Sequence, residues 1–337
     1  MNPFFSIIIP IYNGLTNGFP KCLDSIWNQP LDNSLYEVIC VDDCSTDNTR
    51  EWLKEQGKEH SNLRIIYNEE NLRQGGSRNK GIRASQGKYV VFIDQDDYYH
   101  YDAIALIYEH LKESNLQILI VDCTYQYFGK ENNKLQHNFP NRNVMTGDQI
   151  IACNSIPYAP WKFIIERDFI IDKDLFFIEH ERIEDVDWVH KVVHYADRVQ
   201  YQPILFIHYN KYPESTTMSS FFSKEIVYSG LRMANRLREL TSSFGDVKCQ
   251  NYMKWLTNRN YFLSLRACFF VTDNITSKVH HISVNTHPFF ERTDCPFIVK
   301  FATHHSIFFA ILTNCSSPIA GLLMRLYRLL KRNIRLK

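Results

Sequence analysis

Between residues 6 and 94 short apolar runs alternate with longer segments of helical period, and that alternation leaves few folds open. Ser6 to Ile11, Glu37 to Asp42, Leu63 to Asn68 and Tyr89 to Asp94 read as strands, with helices over Phe19 to Asn28, Thr46 to Gln56 and Gly75 to Ala84. Strand–helix–strand units of this kind build a parallel sheet with helices on its faces. Val38-Ile39-Cys40-Val41 and Tyr89-Val90-Val91-Phe92-Ile93 are apolar at every position, as expected of strands covered on both sides. Both strands run into carboxylates, Asp42-Asp43 and Asp94-Gln95-Asp96-Asp97. Ligands of open α/β sheets lie beyond the carboxyl ends of the strands, so the two clusters are expected to face one crevice.

The 337 residues leave room for a second domain. A helix over Tyr101 to Glu113 and a strand over Gln117 to Tyr127 come next, followed by an irregular stretch through Asn141. An α/β pattern then resumes to about Asn210 and includes a strand over Pro203 to Tyr209. From Phe221 onward the chain reads as helical: Ile226, Gly230, Ala234 and Leu237 share a stripe, and Gly245 stands where a C-cap is expected. Pro288, Pro296 and Pro318 punctuate shorter helical segments. The change of pattern near Met218 sets a boundary between residues 1–218 and 219–337.

Charge is balanced, with 38 Lys and Arg against 37 Asp and Glu, which argues against a polycationic nucleic-acid binder or a polyacidic tail. At 45% hydrophobic and 22% charged residues the chain is expected to fold and not to be disordered. Its nine cysteines are scattered with no Cys-x-x-Cys pair, so they read as reduced thiols of a cytosolic protein. The opening apolar run is cut by Pro10, and the longest later one, Ile307 to Leu312, is too short to cross a bilayer. A cytoplasmic location is therefore expected.

Three carboxylates within Asp94-Gln95-Asp96-Asp97, at the end of a buried strand, repel one another and are costly to desolvate. A divalent cation relieves that repulsion, and oxygen-only ligands favour Mg²⁺ or Mn²⁺. The plainer alternative is an acidic turn capping the helix near Tyr101. In Asp42-Asp43-Cys44-Ser45-Thr46-Asp47, one of Ser45, Thr46 and Asp47 suits an N-cap, which leaves the two leading carboxylates unexplained. Such a carboxylate can accept a hydrogen bond from a base N–H or a ribose hydroxyl. Gln74-Gly75-Gly76-Ser77-Arg78-Asn79-Lys80-Gly81 opens a helix with small residues and two cations, suited to an anion or equally to a simple glycine turn. Neither a Gly-x-Gly-x-x-Gly fingerprint nor a Walker loop is present.

Taken in order, these blocks resemble the family 2 inverting glycosyltransferases. The resemblance runs from Pro10-Ile11-Tyr12-Asn13-Gly14 through Val41-Asp42-Asp43, Ser77-Arg78-Asn79-Lys80-Gly81 and Phe92-Ile93-Asp94-Gln95-Asp96-Asp97. It continues through Pro160-Trp161-Lys162-Phe163, Arg167-Asp168-Phe169 and Ile183-Glu184-Asp185-Val186-Asp187-Trp188, and covers residues 4 to 217. It implies an α/β fold with a Rossmann-like nucleotide-sugar-binding sheet of the glycosyltransferase A type, here with a C-terminal helical extension. Residues 1–97 would form the nucleotide-binding half of the catalytic domain and 98–218 its acceptor-binding half. Pro10, Tyr12 and Asn13 would line the nucleotide, Asp43 would recognise the base, most often uracil, and Arg78 would approach the diphosphate. Asp94 and Asp96 stand at the family's Asp-x-Asp motif, and Asp96 and Asp97 would meet the ribose and the metal. Asp185 would be the general base, with Glu184 positioning the acceptor or supporting Asp185.

The chemistry suits those roles. Negative charge gathers on the diphosphate as the sugar leaves, and Mg²⁺ or Mn²⁺ with a nearby arginine stabilises it. An acceptor hydroxyl is a poor nucleophile until a carboxylate takes its proton. The expected activity is transfer of a hexosyl or N-acetylhexosaminyl unit, from a UDP-sugar, to a saccharide or lipid-linked glycan in cell-surface polysaccharide assembly. His208 is a further candidate metal ligand, and Trp161 a candidate sugar platform; core roles are the alternative for both. His280-His281 and His304-His305 lack metal-ligand spacing. Residues 318–337 hold six cations and no acid, with Leu322, Leu323, Leu326, Leu329, Leu330 and Ile334 at helical spacing. A basic amphipathic helix of this kind suits peripheral attachment to the anionic inner face of a membrane, or packing on the body. A nucleotidyltransferase and an inactive sugar-binding or scaffold protein are the alternative classes. The first should carry a glycine- and arginine-rich loop where Tyr12-Asn13-Gly14-Leu15 stands, and the second should have lost carboxylates that are intact.

Overall fold

The computed structural model describes residues 2–127, 130–132, 139, 142–153, 156–211, 223–268, 271 and 275–286. The chain divides into two compact units, Met1–Ser215 and Thr216–Lys337. The segment 318–337, together with His304-His305, Pro288, Pro296 and Pro318, lies outside the described residues.

The first unit is built on one mixed sheet. Its strands are β1 (Phe5–Ile11), β2 (Tyr36–Asp42), β3 (Leu63–Tyr67), β4 (Tyr89–Phe92), β5 (Tyr98–Tyr99), β6 (Ile118–Tyr127), β7 (Lys130–Asn132), β8 (Phe163–Glu166) and β9 (Val199–Lys211). They run in the order β3-β2-β1-β4-β8-β6-β9-β5, with β7 beside β6. The four strands anticipated from the apolar runs pair in parallel, Ile7 opposite Val38 on one side and Val91 on the other. β1 and β2 are buried along their whole length, which explains their unbroken apolar runs. From β1 the chain winds outward to β2 and β3 and then crosses back to β4, so the winding reverses between β1 and β4. A crevice at such a reversal is where an open α/β sheet takes its ligand.

Helices α1 (Phe19–Trp27), α2 (Thr49–Glu59), α3 (Arg73–Ala84), α4 (Ala103–Leu111), α5 (Gly147–Ala152), α6 (Arg167–Asp172) and α7 (Asp185–His194) accompany the sheet. Glycine lets α3 lie close on β1: a Cβ at Gly81 would come 2.4 Å from Ile8 Cγ2. Beyond β4 the sheet turns antiparallel, β8 against β4 and β6, before β9 returns parallel to β6 and β5 closes antiparallel on β9. That last pair sets Tyr98 opposite His208, bringing the end of β9 beside the residues that follow β4.

In the second unit the described helices are α8 (Lys224–Thr241), α9 (Val247–Ala267) and α10 (Ile275–Thr286). Ser223 caps α8 by accepting the Ile226 N–H. Gly230, Ala234 and Leu237 of the anticipated stripe are buried with Val227, Leu231 and Met233, whereas Ile226 is half-buried. The C-cap is Ser242 and not Gly245, which lies in the connection to α9. Tyr228 stacks on His281 of α10 with centroids 4.0 Å apart. Among the described residues no helix is long and apolar enough to cross a membrane. Among the described residues no disulfide links the seven cysteines.

Candidate active site

The sheet delivers the two acidic strand ends to neighbouring positions, and each is tied to β1. Asp43 donates its backbone N–H to the Ile11 carbonyl at 2.7 Å. Gln95 grips the Tyr12 backbone, accepting its N–H at 2.9 Å and donating to its carbonyl at 3.0 Å. Asn13 takes up a left-handed conformation and its Oδ1 accepts the N–H groups of Thr46 and Asp47. Ser45 Oγ in turn accepts the Asn13 N–H at 2.9 Å. The Ser45–Asp47 backbone is therefore held by β1's exit turn, and α2 begins after Asn48 instead of at Thr46. Pro10 is buried in β1 opposite Val41, while the Tyr12 ring is exposed.

Asp42 and Asp43 have different duties. Asp42 is fully buried and paired with Arg50 at 2.6 Å. Asp43 Oδ1 accepts from Asn68 Nδ2 and from the Leu72 N–H, both at 2.8 Å. No described group binds its Oδ2. Asn68 was not singled out in the sequence; its signal was a polar residue at the end of an apolar strand, and it also donates to Ser77 of α3.

Arg78 sits at the centre of the site. It is only 2% exposed, and its guanidinium donates to Asp94 Oδ1 and to Glu184 Oε1, each at 2.8 Å. Burial disfavours its charge, but Asp94 and Glu184 outweigh that and hold the guanidinium protonated. The glycines before it do not form an open anion cradle. A Cβ at Gly75 would lie 2.7 Å from the Ile178 carbonyl and 3.0 Å from Glu184 Cγ, so this glycine admits the 178–184 segment against α3. Asn79 secures that segment by exchanging two hydrogen bonds with the Phe177 backbone. Phe177 stacks on Trp188 of α7, with centroids 3.8 Å apart.

Glu184 and Asp185 stand at the start of α7. Glu184 is buried on Arg78. Asp185 is half-buried, and its Oδ1 accepts the Val186 N–H at 2.8 Å. A carboxylate in the first turn is favoured by the helix dipole. Burial raises the affinity of both for a proton, and Arg78 opposes the rise.

Asp96 and Asp97 follow β4. Burial and then Asp94 push Asp96 up to about 7, and burial, Asp96 and Asp94 push Asp97 well above the usual carboxylate range. Asp97 Oδ1 accepts the Asn210 N–H at 2.8 Å, and Asn210 Nδ2 donates to the Asp96 carbonyl, so the end of β9 is latched to this turn. Asp97 Oδ2 is buried with no hydrogen-bond partner among the described residues. His208 is stacked between His100, at 3.6 Å, and Tyr98, at 4.5 Å. Among the described residues no three His, Cys, Asp or Glu side chains converge as a ready ligand set. Carboxylates that repel one another, with one orphaned buried oxygen, still suit a hard cation that draws its remaining ligands from phosphate and water. Trp161 is buried and stacks on Tyr209 with centroids 5.1 Å apart.

A parallel half-sheet whose winding reverses between β1 and β4, continued by an antiparallel half and flanked by a second carboxylate pair on α7, has the form of a glycosyltransferase A-type fold. The chain belongs to glycosyl transferase family 2, whose model matches residues 6–176. Among curated relatives it is 37% identical over 118 residues to the poly(ribitol-phosphate) beta-glucosyltransferase of Bacillus spizizenii, covering 34% of this chain and 18% of that one. The chain thus spans less than a fifth of the length of that relative. The S. aureus TarS 1-349 structure in complex with UDP-GlcNAc shares the fold at TM-score 0.67 and 19% identity, over 93% of this chain and 88% of that one. The mannosyltransferase PcManGT of Pyrobaculum calidifontis, in complex with GDP-Man and Mn²⁺, aligns at TM-score 0.54 and 13% identity, over 93% and 87%.

Proposed function

We propose that the protein is an inverting glycosyltransferase that moves a hexosyl or N-acetylhexosaminyl unit from a UDP-sugar to a saccharide hydroxyl in cell-surface polysaccharide assembly. The observation that carries this reading is Arg78, whose guanidinium joins Asp94 beside the nucleotide crevice to Glu184 beside Asp185. A glucosyltransferase and a teichuronic acid biosynthesis glycosyltransferase among the relatives, and the UDP-GlcNAc complex of a protein of the same fold, support this reading of donor and acceptor. In this reading residues 1–97 bind the nucleotide and 98–218 the acceptor, while 219–337 form a helical extension.

Asp43 offers Oδ2 to the N–H of uracil, with Oδ1 fixed by Asn68 and Leu72. Pro10, Tyr12 and Asn13 line the nucleotide, Tyr12 with its exposed ring. Asp94 and Asp96 border the ribose and diphosphate. Asp96 would hold Mg²⁺ or Mn²⁺, with Asp97 and His208 completing that wall and Asn210 fixing Asp97. When bound, the ion offsets negative charge on the leaving diphosphate. Arg78, enclosed by its two carboxylates, keeps Asp94, Glu184 and Asp185 in place.

Asp185 takes the proton of the acceptor hydroxyl as that oxygen attacks the anomeric carbon from the face opposite the diphosphate. The new C–O bond forms as the bond to the phosphate oxygen breaks with its electron pair, and the anomeric centre inverts. The Val186 N–H holds one Asp185 oxygen and leaves the other for the proton. A cytoplasmic site at the inner membrane face, with 318–337 as a peripheral anchor, fits a lipid-linked glycan acceptor; those residues lie outside the described ones.

A panel of nucleotide sugars with Mn²⁺, read by nucleoside diphosphate release and by the anomeric configuration of the product, tests the reading. Transfer from a UDP-sugar with inversion is expected. Retention at the anomeric carbon, or release of pyrophosphate in place of a nucleoside diphosphate, would sink it.

A further inference from the structure

The near-neutral total hides two oppositely charged parts. Residues 1–215 carry 21 Lys and Arg against 31 Asp and Glu, a net of −10, and residues 216–337 carry 17 against 6, a net of +11. Within the described part of the second unit the imbalance is concentrated on α9. From Val247 to Ala267 that helix has Lys248, Lys254, Arg259 and Arg266 and no acid. The nearest acid, Asp246, is occupied at its start, accepting the N–H groups of Lys248 and Cys249.

One face of α9 is buried through Cys249, Tyr252, Met253, Leu256, Tyr261 and Leu265. The opposite face is unusual for a surface helix, whose outer side is ordinarily polar. Lys248, Trp255, Arg259, Phe262 and Leu263 recur at helical spacing and are all exposed. Trp255 is 54% exposed and Leu263 41%, and the Arg259 guanidinium lies 6.0 Å from the Trp255 ring. Lys248, Lys254 and Arg259 make no ion pair with any described residue. The strip is thus both apolar and cationic.

We infer that this outer face of α9 lies on an anionic lipid surface. Indole and phenyl groups settle at the headgroup level, and cations beside them gain from the negative surface potential. A soluble polyanion would engage the cations equally but would leave Leu263 and Val247 in water. The inference rests on α9 alone, apart from both the catalytic reading and the anchor assigned to 318–337.

Co-sedimentation of the full chain with equimolar phosphatidylglycerol–phosphatidylcholine vesicles, against phosphatidylcholine alone, is the test. Binding to the mixed vesicles only is expected. Two double variants, Trp255→Ser with Phe262→Ser and Lys248→Glu with Arg259→Glu, should each lower the partition coefficient by roughly tenfold or more. Their unfolding midpoints should stay unchanged, because the altered side chains face solvent. In protein lacking 318–337, residual binding that either double variant removes is expected. Undiminished binding by both variants, or no residual binding after that deletion, would overturn the inference. A marked fall in the midpoint of the Trp255→Ser, Phe262→Ser variant would also overturn it, because another part of the chain then covers the face. Loss of binding only on charge reversal, with soluble polyphosphate binding as strongly as vesicles, would point to a free polyanion and overturn the lipid surface.

Discussion

The first unit holds two pairs of adjacent acids, Asp42-Asp43 at the end of β2 and Glu184-Asp185 at the start of α7, and each divides its labour in the same way. One member is buried on an arginine, Asp42 on Arg50 and Glu184 on Arg78. The other has one oxygen held by backbone N–H and keeps carboxylate capacity for a ligand. The difference lies in the cation. Arg50 is 35% exposed at its side chain and serves one carboxylate, whereas Arg78 is buried and serves two that belong to different parts of the site. A neutralised acid beside a free one fixes the free one without spending its charge. The shared arginine adds a mechanical tie between Asp94 and α7.

That comparison can be broken most sharply at Asp185. Asp185→Asn should lower turnover by about 10²–10⁴-fold while leaving the UDP affinity within twofold, measured by single-turnover kinetics and calorimetric titration. Next in size, Arg78→Ala should cost roughly 3–5 kcal/mol of stability, because it strands Glu184 and Asp94, and denaturant unfolding checks it. Arg50→Ala should cost less, on the order of 1–3 kcal/mol, since its exposed side lets water reach Asp42. Asp43→Ala should raise the UDP dissociation constant by roughly tenfold, the worth of one hydrogen bond to a charged group, with unchanged turnover at saturating donor.

The smallest effect is a shift in pH dependence. Asp185 must be ionised to accept a proton, so the rate falls as pH drops through its pKa. Burial raises that pKa and Arg78 lowers it, so the acid limb should lie above the ordinary aspartate range. Arg78→Lys keeps the charge and should leave the limb in place, whereas Arg78→Gln should move it to higher pH.

Much of this arrangement was legible in the sequence. β1, β2 and β4 could be read because burial on both faces forces apolar runs, and the Asp94–Asp97 turn announced itself by placing three acids after the last of them. Contacts between distant residues could not be read. The start of α2 depends on the Asn13 side chain holding Thr46 from another strand, so local capping signals placed it too early. Arg78 meets Glu184 across 106 positions, and only the folded chain shows that its guanidinium is enclosed. Gly75 reads as the opening of a helix suited to an anion or as a glycine turn, until the Ile178 carbonyl is found where its side chain would be. Trp161 advertises a sugar platform, yet its ring is buried on Tyr209. The acid-free face of α9 was present in the composition and was masked by averaging charge over the whole chain.

The most direct test sets the two neighbours of α7 against each other in a pH–rate profile, Asp185→Asn beside Glu184→Gln. If the free member is the base and the buried one positions it, the residual rate of Asp185→Asn should be flat where the wild-type acid limb falls, while Glu184→Gln should keep the limb at reduced rate. A limb that persists in Asp185→Asn and vanishes in Glu184→Gln would contradict the division of labour on which this account rests.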